Sequence, residues 1–85
     1  MAELSEKTDR YQEMLRKALA SVEGADRSDE RTAEALEMAE SYLEDGDHFL
    51  DEDDEVNALA SYSYGHGWLD AGARLGLYDV ETEWD

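Results

Sequence analysis

Residues 56–77, VNALASYSYGHGWLDAGARLGL, decide the fold, because they hold only two charged residues in a chain that is 36% charged. Small and apolar side chains recur in this stretch at helical spacing and leave almost no purely polar face. They follow three lines: Val56, Leu59, Ala60, Ser63 and Gly67; Tyr64, Trp68, Ala71 and Leu75; and Leu59, Tyr62, His66, Leu69 and Ala73. A helix that is hydrophobic on nearly every side is usually buried on several sides. The stretch therefore predicts a central helix on which the rest of the chain packs.

Two amphipathic patterns precede this stretch. Apolar residues at spacings of three and four predict a first helix over about residues 4–23, with Ser5 able to cap its start and Gly24 placed as its stop. A second helix is predicted over 29–51, with Ser28 as the N-cap. Gly46 is a poor helix former in the middle of this stretch. The apolar residues before and after it nevertheless keep the same helical spacing, so we expect a single helix.

The third helix is predicted over residues 54–75, with Asp53 or Asp54 as its N-cap and Gly76 as its stop. A tail, residues 77–85, follows, and its apolar residues are Leu77, Tyr78, Val80 and Trp84. We expect the start of the tail to fold back on the helices. Three helices of about 20 residues with short links predict an all-α fold, an up-down-up three-helix bundle in a single domain spanning residues 1–85.

The charge of the chain is strongly negative and unevenly distributed. There are 24 acidic and 7 basic residues, a net charge of −17. Residues 1–28 carry a net charge of −1 and residues 29–85 carry −16. Two readings stay open at this point: a solvated acidic surface adapted to high salt, or a docking surface for a basic partner. Binding to nucleic acid is not expected, because the sequence has no basic stripe to neutralise phosphates.

The length and composition of the chain limit which classes of protein it can belong to. Eighty-five residues suffice for one core, and the chain contains no cysteine, which excludes disulfides and thiolate zinc sites. No run reaches the roughly 18 apolar residues of a membrane span, and the N-terminus does not resemble a signal peptide. We therefore expect a cytoplasmic protein that does not enter a membrane.

One resemblance to a known family covers nearly the whole chain. Residues 42–50 (YLEDGDHFL), 56–59 (VNAL) and 63–72 (SYGHGWLDAG) resemble the small archaeal family DUF357, and the likeness runs from about residue 6 to Leu77. The specific part is the run Tyr-x-His-x-Trp-Leu-Asp-Ala that begins at Tyr64. The resemblance implies a three-helix bundle of uncharacterised function. The extreme acidity departs from the family pattern and indicates a member from a halophilic archaeon.

Five residues of the last helix form the candidate site, either for recognition or as a structural polar core: Tyr62, Tyr64, His66, Trp68 and Asp70. His66 and Asp70 are four residues apart, which predicts a pair on one helix face. Such a pair either braces the helix against its neighbours, or orients an imidazole for metal ligation or proton transfer, or takes part in recognition. The tyrosines and the tryptophan are expected in the core. Ser61, Gly65, Gly72 and Gly76 lie close to one stripe of small residues, which either allows a neighbouring helix to pack closely or forms a groove for a partner's side chain.

No motif for catalysis is present. The sequence shows no phosphate-binding glycine loop, no nucleophile set beside a histidine and no set of metal ligands at a recognised spacing, the acidic run of residues 51–55 included. We therefore expect no cofactor, no bound metal and no enzymatic activity. The first hypothesis is an interaction or accessory module whose partner is another protein or further copies of the chain. The alternative is a small-ligand or cation-binding protein that uses the segment from Tyr64 to Asp70.

The net charge generates a salt prediction. Repulsion among carboxylates opposes folding at low salt, and the screening length falls from about 10 Å at 0.1 M to about 3 Å at 1 M. We expect the melting temperature to rise steeply between about 0.1 M and about 2 M KCl, as measured by circular dichroism. A melting temperature that stays flat over this range would instead favour the docking of a basic partner as the reason for the charge.

Overall fold

The computed structural model describes residues 2–81 and forms three helices, α1 (Ala2–Ser21), α2 (Glu30–Asp51) and α3 (Glu55–Arg74). This part of the chain is 77% helical and contains no strand, and all three helices pack against each other. The predicted all-α three-helix bundle is therefore confirmed. α2 continues through Gly46 without a break. Trp84 of the predicted tail lies outside the described residues.

Side-chain caps fix where α2 and α3 begin. Asp29, not the predicted Ser28, caps α2, because its carboxylate accepts hydrogen bonds from the N–H groups of Arg31 (2.9 Å) and Thr32 (3.3 Å). Ser28 instead donates its backbone N–H and its hydroxyl to Asp26. Asp54 caps α3 by accepting from the N–H of Asn57 at 3.1 Å. An aspartate at such a position satisfies a helix N–H that would otherwise have no partner.

The residues predicted to begin and end α1, Ser5 and Gly24, do not have these roles. α1 begins at Ala2, so Ser5 lies inside the helix, and its hydroxyl donates to Glu55 of α3 rather than capping α1. The stop predicted at Gly24 is also wrong, since α1 ends at Ser21 and positive φ is adopted at Gly76, not at Gly24. Gly76 has a φ of 79°, which ends α3 as predicted, and the N–H of Leu77 donates to the carbonyl of Gly72.

The core lies between α3 and the other two helices. α3 contacts both α1 and α2 more extensively than α1 and α2 contact each other. The fully buried side chains include Leu15 of α1, Leu36 of α2, and Tyr62 and Leu69 of α3. The central position predicted for α3 therefore agrees with the contacts.

One side of α3 is nevertheless exposed, so the helix is buried on several sides, as expected, but not all round. Val56, Tyr64 and Leu75 are 67%, 63% and 66% exposed. The physical reason is the number of neighbours. Two helices can cover only part of the circumference of a third, so a helix that is apolar all round keeps one apolar side in water.

The glycines inside the helices have different surroundings. A Cβ at Gly46 would fall on the ring of Tyr62, and a Cβ at Gly65 would lie 2.7 Å from Leu15 Cδ2 and 3.3 Å from the carbonyl oxygen of Ala39. These two glycines allow α3 to approach its neighbours closely. A Cβ at Gly67 would meet no atom within 4 Å. Close packing of a neighbouring helix, one of the two roles expected for the stripe that includes Gly65, is confirmed at Gly65, and Gly46 forms a second such contact that the sequence did not predict.

The first residues of the tail lie against the bundle. A Cβ at Gly72 would fall on the hydroxyl end of Tyr78, and that hydroxyl donates to the carbonyl of Leu69 at 2.9 Å. The backbone N–H of Glu81 donates to the hydroxyl of Ser21 at 3.2 Å. The tail thereby joins the end of α3 to the end of α1.

The contrast between Gly46 and Gly67 gives a matched pair of substitutions. Gly46→Ala adds a methyl group where the Tyr62 ring lies, so we expect it to lower the free energy of unfolding by about 1 to 3 kcal/mol despite the better helix propensity of alanine. Gly67→Ala meets no neighbour and should raise it by up to about 1 kcal/mol. Urea unfolding at low protein concentration checks both. Equal effects of the same sign would contradict the packing described here.

Candidate functional site

The five predicted site residues occupy different sides of α3 and do not converge. Tyr62 and His66 point inward and are buried. Tyr64 is exposed, Trp68 is half-buried at the edge of the core, and Asp70 is half-exposed. The expectation that both aromatic residues Tyr64 and Trp68 belong to the core is therefore wrong for Tyr64.

Tyr62 is the centre of a polar brace that joins all three helices. Its hydroxyl donates to Asp47 Oδ1 of α2 at 2.6 Å. Gln12 of α1 donates to the same carboxylate oxygen at 2.7 Å and to the Tyr62 hydroxyl at 3.1 Å. Arg16 binds the other oxygen of Asp47 at 2.8 Å. Burial and the adjacent Asp47 carboxylate raise the pKa of Tyr62, so the hydroxyl keeps its proton and acts as a donor.

His66 lies between α3 and α1 and is 8% exposed. Its Nε2 is 3.1 Å from the carbonyl oxygen of Tyr11, and the two rings meet edge to face with centroids 5.5 Å apart. Because a carbonyl oxygen only accepts, Nε2 carries the proton in the neutral imidazole. Burial lowers the pKa of His66, and the contact with the Tyr11 carbonyl opposes this shift.

The predicted pair of His66 and Asp70 is wrong. Asp70 accepts from Arg74 Nε at 2.7 Å, an i,i+4 ion pair on the surface, while His66 faces Tyr11 of α1. The spacing of four places both residues near one face, but Asp70 is also four residues from Arg74. Pairing with Arg74 keeps the carboxylate in water, which avoids the desolvation of a buried charge.

The exposed side of α3 carries a continuous set of uncharged residues, which we call the α3 stripe. All of them except the half-buried Trp68 are exposed, and they follow one another at helical spacing along five turns: Val56, Ala60, Ser63, Tyr64, Gly67, Trp68, Ala71 and Leu75. Two shallow cavities lie on it. One, of about 390 Å³, is lined by Ser63, Tyr64, Gly67, Trp68 and Ala71, and the other, of about 200 Å³, lies between Trp68, Leu75 and α2.

The charge of α2 contrasts with the α3 stripe. Exposed positions of α2 hold mainly carboxylates, among them Glu34, Glu37, Glu44, Asp45 and Asp51. The α3 stripe holds none of the 24 acidic residues of the chain. Sequence reasoning missed this surface because it treated the apolar residues of α3 as core. The signals that could have found it were the absence of carboxylates and the glycine at position 67.

The described residues offer little for other kinds of site. Among residues 2–81, no group of three or more His, Cys, Asp or Glu side chains could hold a metal ion. His48 lies at the surface, with Nε2 3.4 Å from Glu52. No helix in this part of the chain is long and apolar enough to cross a membrane.

Comparison with known proteins supports the resemblance seen in the sequence. The pattern of the family described as "Protein of unknown function (DUF357)" matches residues 10–78, which include most of α1 and all of α2 and α3. The chain belongs to the DUF357 family. No curated protein and no solved structure matches it. The brace around Tyr62, His66 and the α3 stripe all lie within the matched region.

The position of His66 predicts how stability depends on pH. The pKa is lowered on folding from about 6.5 in the unfolded chain, so the unfolded state takes up the proton first. The contribution of His66 is complete above about pH 6.5 and is lost as the pH falls towards the folded-state pKa. We expect His66→Gln to lose less stability than the wild-type chain between about pH 7.5 and 5, measured by urea unfolding. His48→Gln changes an exposed histidine, and its free energy of unfolding should fall with pH as that of the wild-type chain does. Parallel curves for all three proteins would contradict this role.

Proposed function

We propose that this DUF357 protein is a non-enzymatic interaction module and that the α3 stripe is its docking surface. Gly67 is the observation that carries the proposal. A glycine inside a helix costs about 1 kcal/mol relative to alanine. At Gly46 and Gly65 a neighbouring group occupies the space of the missing Cβ, whereas at Gly67 that space is open. A molecule that packs closely on α3 would fill this open space beside Gly67.

The composition of the α3 stripe supports the same conclusion. Contiguous exposed apolar surface on a small protein often marks a site of association. Tyr64 and Trp68 are residue types enriched at interfaces, and Tyr64 is held against α2 by Tyr42, whose ring centroid is 5.5 Å away. Burying this surface desolvates no carboxylate, so association here avoids the main electrostatic penalty that the rest of the surface imposes.

The arrangement of the other polar groups favours a binding role over catalysis. The Tyr62 hydroxyl and the His66 imidazole are buried and contact groups of neighbouring helices. The alternative of a small-ligand or cation site formed by Tyr64, His66, Trp68 and Asp70 loses its support, because these side chains lie on different sides of α3.

We further propose that the protein works in the cytoplasm of a halophilic archaeon. The net charge of −17 and the exposed carboxylates along α2 support this setting. In molar salt the screening length is about 3 Å, so neighbouring carboxylates repel each other weakly. Hydrophobic association through the α3 stripe is then opposed much less by the charge of the chain.

A capture experiment tests the docking surface. The tagged chain is incubated with cell extract of a haloarchaeon in about 2 M KCl, conditions in which surface charges are screened, and bound proteins are identified by mass spectrometry, further copies of this chain included. Gly67→Glu places a carboxylate in the middle of the stripe and should abolish stoichiometric capture. Ala20→Glu adds the same charge at an exposed position of α1 and should leave capture unchanged. Equal capture by both variants would refute the α3 stripe as the docking surface.

A further inference from the structure

We infer that the α3 stripe binds a second copy of this chain, with the two α3 helices antiparallel about a twofold axis that lies between them at the height of the Gly65–His66 peptide bond. This inference rests on the proposed function of the stripe and names its partner. An interface with twofold symmetry must be complementary to itself. The α3 stripe has this property in the order and size of its residues.

The positions of the stripe are symmetric about the proposed axis. In an antiparallel pair, residues at equal distances from the axis lie at the same height, and every residue of the stripe then lies level with another residue of the stripe. The pairs at the same height are Val56 with Leu75, Ala60 with Ala71, Ser63 with Trp68, and Tyr64 with Gly67. Ala60 with Ala71 and Tyr64 with Gly67 lie near the centre line of the interface, where they face each other, and the other two pairs flank it. A large side chain therefore meets a small residue at Tyr64 and Gly67, and two small residues meet at Ala60 and Ala71.

Gly67 has a specific role in this arrangement. The ring of Tyr64 from one copy lies over Gly67 of the other, in the space where a Cβ would meet no atom of its own chain. Facing helices pack with their axes 8–10 Å apart, and a small residue opposite a ring allows such a distance. The arrangement thus provides the close neighbour that the single chain lacks at Gly67.

Charge also favours this register. The α3 stripe brings no carboxylate of one copy against a carboxylate of the other. Arg74 is the one basic residue of α3, its side chain is 80% exposed while it pairs with Asp70, and it lies at the same height as Asn57 of the second copy. Glu55 and Asp54 lie only two and three residues before Asn57, about 3 to 5 Å along the helix axis. Arg74 of each copy therefore lies near the acidic start of α3 in the other.

The size of the contact sets the expected affinity. A 20-residue helix is about 30 Å long and, with side chains, about 10–12 Å wide, so the contact is at the small end of specific interfaces. Two chains of net charge −17 also repel each other at low salt. We therefore expect a dimer that forms reversibly with increasing protein concentration and that is favoured by salt.

Disulfide cross-linking tests the register, since the natural chain has no cysteine. Ala60 and Ala71 are exposed and face each other only in the antiparallel pair. A mixture of Ala60→Cys and Ala71→Cys, oxidised in about 2 M KCl, should give the mixed disulfide dimer. Each variant alone should stay monomeric under denaturing conditions, because its two identical positions lie about 16 Å apart along the axis, too far for a disulfide. Single variants that cross-link as readily as the mixture would overturn the arrangement.

Sedimentation equilibrium provides the second measurement. The wild-type chain should associate to a dimer in about 2 M KCl and dissociate in about 0.1 M KCl. Gly67→Glu should remain a monomer with an unchanged circular dichroism spectrum, and Ala20→Glu should dimerise like the wild type. A wild-type chain that stays monomeric at millimolar concentration, with no mixed cross-link, would overturn the second copy as partner. Capture of another protein that is lost in Gly67→Glu would then still support the docking surface, so the two proposals fail separately.

Discussion

The contact of the Tyr62 ring with the backbone at Gly46 is the constraint on which the rest of the structure depends. The ring occupies the space of a Cβ on α2, and the hydroxyl at its end reaches Asp47, the next residue along that helix. Gln12 and Arg16 bring α1 to the same carboxylate. A buried phenol needs a hydrogen-bond partner, so one side chain fixes both the distance between α2 and α3 and the position of α1.

Fixing the rotation of α3 also decides which of its sides stays in water. With Tyr62, Gly65 and Leu69 turned towards α1 and α2, the residues of the α3 stripe face outward. Within residues 2–81 there is no fourth helix to cover them. The exposed apolar surface is thus a consequence of the same packing that forms the core.

The acidic surface gives this exposed side its significance. Carboxylates cover α2 and the turn before α3, where any close approach of an acidic protein would be opposed. The α3 stripe is free of them, and it also contains Gly67, a glycine inside a helix whose Cβ position is open to solvent. Hydrophobic association and the avoidance of like charges therefore favour the same surface.

The sequence alone determined the number and approximate extent of the helices, because the period of apolar residues and the capping aspartates are local properties. The central position of α3 also followed from its composition. The sequence did not determine the environment of each individual residue of α3. His66 and Asp70 share a spacing of four, yet Asp70 pairs with Arg74 and His66 meets the carbonyl of Tyr11, a group distant in sequence. A helix that is apolar on every side carries no periodic signal for the side that remains uncovered. Only the packing of three helices decided that Tyr62 is core, that Tyr64 is surface and that Gly67 faces open space, since these outcomes depend on where neighbouring helices lie and not on spacing along the chain.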